Sequence, residues 1–287
     1  MARLPDTAAH FSSVPAVSTV SAVALLSLLA ACSPTDSGGS TSSSITGAPA
    51  ASGEPEKLTA KIVGTYPFDA TSFTQGLEVA PDGTLYVATG MQGQSRIYRT
   101  TADGVQGASK DLEPEFFGEG ITRVRDHVWQ LTWQNNTAIK RDAETLDELD
   151  RTTFTGEGWG LCYREDAGEV IFSDGTDELR RMDPETLEER GRFTVTDQGS
   201  PVTGINELEC VGDDIYANVF TTTDIVRINA ESGAVEALID ASGLPNNATP
   251  DPNHVLNGIA RIPGTDGEFY LTGKRWPDMY QVTFEPE

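Results

Sequence analysis

A short phrase recurs five times along this chain and limits the possible fold more than any other feature. Each copy consists of a polar or aromatic residue, a small or acidic residue, and then Leu or Ile. The five copies are Gln75-Gly76-Leu77, Glu119-Gly120-Ile121, Trp159-Gly160-Leu161, Asn206-Glu207-Leu208 and Asn257-Gly258-Ile259. Their aliphatic residues lie 44, 40, 47 and 51 residues apart. A repeat of about 40–50 residues with strand-like content is typical of a β-propeller.

The residues that follow each phrase predict further strands in every repeat. Asp82-Gly83 before an alternating apolar run is a β-hairpin signal. The fifth repeat stops after its third strand, at Phe284, and the stretch from Ala60 to Tyr66 can supply the missing fourth strand. We therefore predict an all-β fold over residues 57–287. It is a five-bladed β-propeller of four-stranded antiparallel blades, closed by pairing of the N-terminal strand with the last blade. A β-sandwich with accidental internal similarity is the alternative.

Residues 1–31 resemble a bacterial export signal. Their apolar run, from Val14 to Ala31, is too short and too polar for a membrane span. It ends in Leu29-Ala30-Ala31-Cys32, which resembles a lipoprotein signal in which Cys32 is lipidated. Residues 32–56 are rich in Ser, Gly and Thr, and we expect them to be a flexible linker. We expect an exported protein with a lipid anchor at the outer face of the bacterial cell membrane; secretion without an anchor is the alternative.

The chain is strongly acidic, with a net charge of −24. Such a surface opposes binding to nucleic acid and to anionic lipid headgroups. Two cysteines follow Cys32, and both Cys162 and Cys210 lie on the innermost strands of neighbouring predicted blades. Export permits a disulfide, but the positions of the two cysteines relative to the recurring phrase differ by one residue. Because side chains alternate between the two faces of a strand, these two would point in different directions. The sequence therefore leaves their pairing open. We expect a monomer.

Common catalytic motifs are absent from the sequence. Only His127 and His254 follow the signal, and no HExxH or paired CxxC motif occurs. A catalytic zinc requires about three ligands of these types, so we expect no metal. The sequence also contains no G-x-S-x-G elbow and no nucleotide-binding glycine motif. We therefore expect no cofactor.

The recurring phrase itself supplies the candidate site. Equivalent positions in a propeller converge on its axis, so the first residues of the five phrases should lie close together. A second set of residues ends the neighbouring strands, and two phenylalanines lie nearby: Gly90, Trp133, Gly175, Phe220, Lys274, Phe73 and Phe117. An apolar pocket with a few convergent polar groups is typical of a small-ligand site. Alternatively, the aromatic rings pack between blades and the amides satisfy backbone groups.

Several segments together resemble the plant and bacterial type of glutaminyl-peptide cyclotransferase. They include Phe73-Thr74-Gln75-Gly76-Leu77, Phe117-Gly118-Glu119-Gly120-Ile121, Gly158-Trp159-Gly160-Leu161, Ile205-Asn206-Glu207-Leu208-Glu209 and Thr272-Gly273-Lys274-Arg275-Trp276-Pro277. The resemblance covers nearly all of residues 57–287. It implies a five-bladed propeller that converts the N-terminal glutamine of peptides or proteins to pyroglutamate with loss of ammonia. It also implies that no catalytic zinc is needed.

The resemblance implies roles for individual residues. Glu119 matches the family's acid/base glutamate. The positions that line the substrate cavity are matched by Phe73, Gln75, Phe117, Trp133, Trp159, Asn206 and Lys274. Phe220 belongs to the same set but stands where the family usually has tryptophan, so we expect an altered affinity and a retained activity.

Two other functions stay open at this point. A non-catalytic propeller with the same aromatic cavity would bind peptides or amines, with Glu119 recognising an ammonium group. A calcium-dependent propeller hydrolase would need clustered carboxylates, for which Glu207 and Glu209 are the only close pair in the phrase.

Overall fold

The computed structural model describes residues 53–287, and the regular elements in this part of the chain are all β-strands. The predicted export signal, the lipidation at Cys32 and the linker up to residue 52 lie outside the described residues. The first strand, β1 (Glu56–Pro67), begins within one residue of the predicted end of the linker. Residues 53–287 contain no helix that is long and apolar enough to cross a membrane.

The remaining strands follow β1 in groups that match the five repeats. The first group is β2 (Thr74–Val79), β3 (Leu85–Thr89), β4 (Arg96–Thr100) and β5 (Gln106–Asp111). The second group is β6 (Gly118–Val124), β7 (His127–Thr132), β8 (Thr137–Asp142) and β9 (Glu148–Thr153). The third group is β10 (Leu161–Arg164), β11 (Glu169–Phe172), β12 (Glu178–Met182) and β13 (Glu189–Thr194). A short hairpin of β14 (Thr196–Asp197) and β15 (Ser200–Pro201) comes next. The last two groups are β16 (Ile205–Val211), β17 (Asp214–Val219), β18 (Asp224–Asn229) and β19 (Val235–Asp240); β20 (Leu256–Arg261), β21 (Glu268–Gly273) and β22 (Asp278–Pro286).

The strands pair as antiparallel four-stranded units, which confirms the all-β prediction. Strands β2–β5, β6–β9 and β10–β13 form three separate sheets, and β16–β19 pair in the same manner. Strand β1 pairs antiparallel with β22, so that β20, β21, β22 and β1 make a further set of four. Strand β1 also runs parallel to β19 over Glu56–Thr59, which joins the last two units into one eight-stranded sheet. The sequence did not predict this parallel contact or the short hairpin.

The innermost strand of each unit begins at the recurring phrase. Strands β2, β6, β10, β16 and β20 contact one another in this order, and β20 also contacts β2. In the fourth phrase Glu207 replaces glycine, and its carboxylate accepts the backbone N–H of Leu77 on β2 at 3.1 Å and of Ile259 on β20 at 2.8 Å. This one side chain therefore joins three innermost strands.

Apolar clusters fill the spaces between neighbouring sheets. In one of them, Tyr86 and Ile97 of the first sheet pack with Ile121 and Val128 of the second. A cluster with Leu77, Tyr98 and Met279 joins the first sheet to the last. Fully burying one Leu or Ile side chain contributes about 1.5–3 kcal/mol. These clusters fix the sheets, and therefore the starts of the innermost strands, in relation to one another.

Cys162 and Cys210 form a disulfide with a Cα–Cα distance of 5.3 Å. The sequence left this pairing open because the two residues differ by one register. They lie on β10 and β16, which belong to different sheets and contact each other side by side. Alternation within a single strand therefore does not decide how these two side chains meet.

Candidate active site

A cavity of about 470 Å³ opens at the starts of the innermost strands. It brings together all nine side chains that the sequence assigned to a site: Phe73, Gln75, Phe117, Glu119, Trp133, Trp159, Asn206, Phe220 and Lys274. Its volume is in the range of small-ligand pockets, which hold about 300–1,000 Å³. The residues gather because each innermost strand starts at the same level as its neighbours, and the adjacent strand of each sheet ends there.

Five aromatic rings form the wall of the cavity. Phe73 contacts Phe117 edge to face at 6.1 Å between ring centroids, and Phe117 contacts Trp133 in the same way at 5.6 Å. On the other side, Trp159 and Phe220 meet at 5.3 Å. Edge-to-face pairs of this kind hold each ring in a defined orientation. Trp133 and Phe220 stay partly exposed at the mouth of the cavity, with 37% and 38% of their surface accessible.

Two glycines make room for this wall. A Cβ atom at Gly90 would lie 2.2 Å from the ring of Phe117, and one at Gly175 would lie 2.5 Å from the ring of Trp159. Gly175 also has a φ of +80°, which a residue with a side chain rarely adopts. Glycine at these two strand ends therefore leaves space over the backbone. Phe117 of the next repeat lies over Gly90, and Trp159 of the same repeat lies over Gly175.

Glu119 lies at the base of the cavity and is 4% exposed. Burial raises the pKa of Glu119 well above its usual range. The charge of Lys274 and a hydrogen bond from Gln75 oppose this rise, whereas the charge of Glu157 adds to it. Gln75 is itself held by Asn257, whose Nδ2 donates to Gln75 Oε1 at 3.1 Å. The amide group of Gln75 is thereby turned towards Glu119.

Lys274 is a buried cation in the lining of the cavity and is also 4% exposed. Its Nζ lies 5.0 Å from the ring centroids of both Phe73 and Phe220. Burial lowers the pKa of Lys274 to about 8, although the charge of Glu119 opposes this shift. Backbone hydrogen bonds fix the segment, because Lys274 N donates to Val255 O and Arg275 N donates to Ser72 O.

Sequence reasoning missed two parts of the site. The first is Glu157, which accepts hydrogen bonds from the indole N–H groups of Trp133 and Trp159. Glu157 stands two residues before Trp159 of the third phrase, and this position could have indicated a residue close to the site. The second part is the long connection between β19 and β20, which contributes further lining residues together with residues from three other loops: Asp251, Pro252, Asn253, His254, Val255, Met91, Thr221 and Arg275.

Of the first residues of the five phrases, Asn257 alone does not line the cavity, and neither do Glu207 and Glu209 of the fourth repeat. Asn257 holds Gln75 from behind, as described above, and also donates to Thr74 O at 3.0 Å. Glu207 has both carboxylate oxygens occupied by backbone amides, and Glu209 accepts the backbone N–H of Arg261 at 3.0 Å. These carboxylates accept hydrogen bonds from the backbone of the innermost strands and are not turned to the cavity. In residues 53–287 no three His, Cys, Asp or Glu side chains are grouped as metal ligands.

The cavity combines a buried carboxyl group, a buried amine and aromatic walls at the converging ends of β-strands. Such a site can move protons to and from a small polar group that the rings hold in place. The fold and the site therefore define an all-β protein of the class that can carry out acid–base chemistry in an aromatic pocket.

Comparison with known proteins identifies the family. The family model for glutamine cyclotransferase matches residues 36–284. The chain is 32% identical over 228 residues to the glutaminyl-peptide cyclotransferase of Arabidopsis thaliana, which covers 77% of this chain and 70% of the relative. It also superposes on the crystal structure of Myxococcus xanthus glutaminyl cyclase with a TM-score of 0.76 and 32% identity, covering 82% of this chain and 100% of the other. The chain belongs to the glutamine cyclotransferase family, which confirms the resemblance seen in the sequence.

Proposed function

We propose that this cavity converts N-terminal glutamine of peptides or proteins to pyroglutamate and releases ammonia. Membership of the family supports this activity, as do the names of the two relatives. The observation that carries the proposal is that one cavity is lined by all nine residues matched to the family's site, with Glu119 buried among aromatic rings. The reaction is an intramolecular acyl transfer, and the enzyme is an ammonia-releasing aminoacyltransferase.

The substrate supplies its own nucleophile. Its α-amine attacks the γ-carboxamide carbon of the same residue, which forms the C–N bond of a five-membered lactam. The C–N bond to the amide nitrogen then breaks, and ammonia leaves. We assign the proton transfers to Glu119, which takes a proton from the attacking amine and gives it to the departing nitrogen. General acid–base help of this kind contributes about 10²–10⁴-fold to a rate, and burial raises the pKa of Glu119.

The other cavity residues bind and orient the substrate in this proposal. The rings of Phe73, Phe117, Trp133, Trp159 and Phe220 hold the glutamine side chain in a folded conformation and exclude water. Lys274 polarises the carboxamide oxygen, on which negative charge develops during attack. Asn206 is 3% exposed and lines the same cavity, where its side-chain amide can form hydrogen bonds with the backbone of the substrate peptide.

The direct test measures ammonia release from a peptide with N-terminal glutamine. We expect the protein to release one ammonia per peptide. We expect Glu119→Gln to keep its fold, by circular dichroism, and to lose about 100-fold or more of kcat. Retained activity in Glu119→Gln would remove this residue from the acid/base role. Tight binding of the peptide by the wild-type protein without ammonia release would instead favour a non-catalytic binding protein.

We propose that the five strand groups are the blades of a closed propeller. Three observations support this. The innermost strands contact one another in a cyclic order. An apolar cluster joins the first sheet to the last. Strand β1 pairs with β22 as the outermost strand of the last group. The parallel contact of β1 with β19 is then a local link between the last two blades.

We propose that the protein is exported as a monomer and anchored by lipid at Cys32, outside the cell membrane. The disulfide between Cys162 and Cys210 supports export, because such bonds persist in oxidising compartments. In cells that carry the gene, we expect the wild-type protein in the membrane fraction and Cys32→Ser in the soluble or secreted fraction. Membrane association of Cys32→Ser that equals the wild type would contradict the anchor.

A further inference from the structure

The aromatic wall of the cavity has two gaps, and a charged side chain stands in each. Between Phe220 and Phe73 the gap holds the Nζ of Lys274, at 5.0 Å from both rings. The other gap lies between Trp133 and Trp159, and it holds the carboxylate of Glu157. Lys274 belongs to the predicted site, whereas Glu157 has no role in it so far.

The carboxylate of Glu157 links both tryptophans through one oxygen. Its Oε2 accepts the indole N–H of Trp133 at 2.8 Å and that of Trp159 at 3.0 Å. Its Oε1 accepts Gln134 Nε2 at 3.1 Å. All three donors are neutral, so none of them cancels the charge of the carboxylate. Although burial opposes it, these three hydrogen bonds lower the pKa of Glu157, so the group is ionised at neutral pH.

We propose that Glu157 is a positioning residue, which fixes the rotation of the two indole rings and keeps a negative charge behind the wall of the cavity that holds the acid/base carboxyl of Glu119. Packing against the neighbouring rings limits how far each indole can turn about its side-chain bonds, and here one oxygen atom also holds the N–H groups of both rings. The tryptophans therefore meet the substrate with their ring faces, since their N–H groups are already bonded. The kinetic part of this inference rests on the proposed cyclisation.

The electrostatic part concerns the groups that face Glu119. These are Lys274, which favours the ionised form, Glu157, which disfavours it, and the hydrogen bond from Gln75, which favours it. The other charged or titratable groups in the cavity lining are Asp251, His254 and Arg275. Removing the charge of Glu157 alone should therefore lower the pKa of Glu119 and leave the other influences in place.

The first measurement does not depend on activity. In protein labelled with ¹⁵N-tryptophan, the indole N–H resonances of Trp133 and Trp159 should move in Glu157→Ala. The resonance of Trp129 is the internal reference, because its Nε1 donates to the carbonyl of Pro184 at 2.8 Å. Glu157→Gln retains an oxygen that can accept both indoles, so its resonances should move less. Unchanged resonances of Trp133 and Trp159 in Glu157→Ala would overturn the positioning role.

The second measurement is the pH dependence of ammonia release. For Glu157→Ala we expect KM for a glutaminyl peptide to rise about tenfold or more, because two hydrogen bonds to a charged acceptor are lost. For Glu157→Gln we expect a KM within about threefold of the wild type. Its kcat/KM profile should have an acidic limb at lower pH, since Glu119 ionises more easily. An acidic limb at the wild-type pH in Glu157→Gln would overturn the electrostatic part.

The control is Glu165→Gln, which removes the same charge from an exposed residue at the opposite end of strand β10. We expect its resonances, KM and pH profile to match the wild type. If the wild-type protein releases no ammonia from glutaminyl peptides, the proposed function fails, and the resonances still test the positioning. If the wild type is active and both Glu157 variants behave as Glu165→Gln does, only the role of Glu157 fails.

Discussion

At the scale of single residues, Glu119 and Lys274 form a buried pair whose pKa values shift in opposite directions. Burial raises the pKa of Glu119 and lowers that of Lys274, because it penalises the charged form of both. Each charge partly offsets the shift of the other. The proposed reaction uses Glu119 as a carboxylate and Lys274 as an ammonium, so it requires a pH above the pKa of the first group and below that of the second.

This pair predicts how activity depends on pH. The rate should fall above about pH 8, where Lys274 loses its proton and can no longer polarise the carboxamide with a full charge. Lys274→Arg should keep its charge at high pH, because a guanidinium group stays protonated throughout this range, and should lose this alkaline decrease. The measurement is kcat/KM from pH 5 to 10 for both proteins. The substrate amine titrates equally in both, so an identical alkaline limb in Lys274→Arg would contradict the role of Lys274.

Phe220 is an aromatic residue of the cavity wall that has no hydrogen-bond donor. The resemblance in the sequence implies tryptophan at this position, and phenylalanine lacks the indole N–H that tryptophan would provide. In this protein the other two indole N–H groups of the wall bond to Glu157. Phe220 still contacts Trp159 at 5.3 Å and faces Lys274 at 5.0 Å. A ring without a donor therefore fills the same place in the wall.

At the scale of strands, the recurring phrase predicted much of the site because it marks the same point on each innermost strand. Side chains at equivalent points converge, so Gln75, Glu119, Trp159 and Asn206 line one cavity. Asn257 occupies the fifth such point and instead supports Gln75. Periodicity predicts which residues converge, but it does not predict which of them face inward and which bond to a neighbour.

The parts that the sequence did not predict come from segments without a repeat. Glu157 lies in the loop before β10, and the path of that loop brings its carboxylate to the indole groups of Trp133 and Trp159. Residues 251–255 belong to the connection between β19 and β20, whose path depends on tertiary contacts. One such contact is the hydrogen bond from Trp276 Nε1 to His254 O, at 3.2 Å. Such contacts have no periodic signature.

The innermost strands also predict a stability effect at Glu207. Its two oxygens accept backbone N–H groups from β2 and β20. In Glu207→Gln the amide nitrogen would face one of these N–H groups, which leaves a buried donor without an acceptor at a cost of about 1–3 kcal/mol. Urea unfolding should report this loss in the free energy of unfolding. The exposed substitution Glu165→Gln is the control, and a loss no larger than in the control would contradict the linking role of Glu207.

At the scale of the whole molecule, the two ends of the described chain depend on each other. Strand β1 pairs with β22 from Leu58↔Pro286 to Pro67↔Asp278, and its side chains enter the core of the last sheets. Leu58 and Ala60 are buried in the same cluster as Ile239 and Val282. The last four-stranded unit is therefore complete only when residues more than 200 positions apart have met. The proposed closure removes the exposed edge that β22 would otherwise present.

Removing β1 should therefore affect the entire domain. A chain that begins at Gly53 should keep the melting temperature of the protein without its signal, because it retains every described strand. A chain that begins at Phe68 should lose its cooperative melting transition and aggregate, because it exposes the edge of β22 and empties part of the core. Circular dichroism melting and light scattering measure both effects. Adding a peptide of residues 53–67 should partly restore the transition, whereas an unaltered melting temperature in the shorter chain would contradict closure by β1.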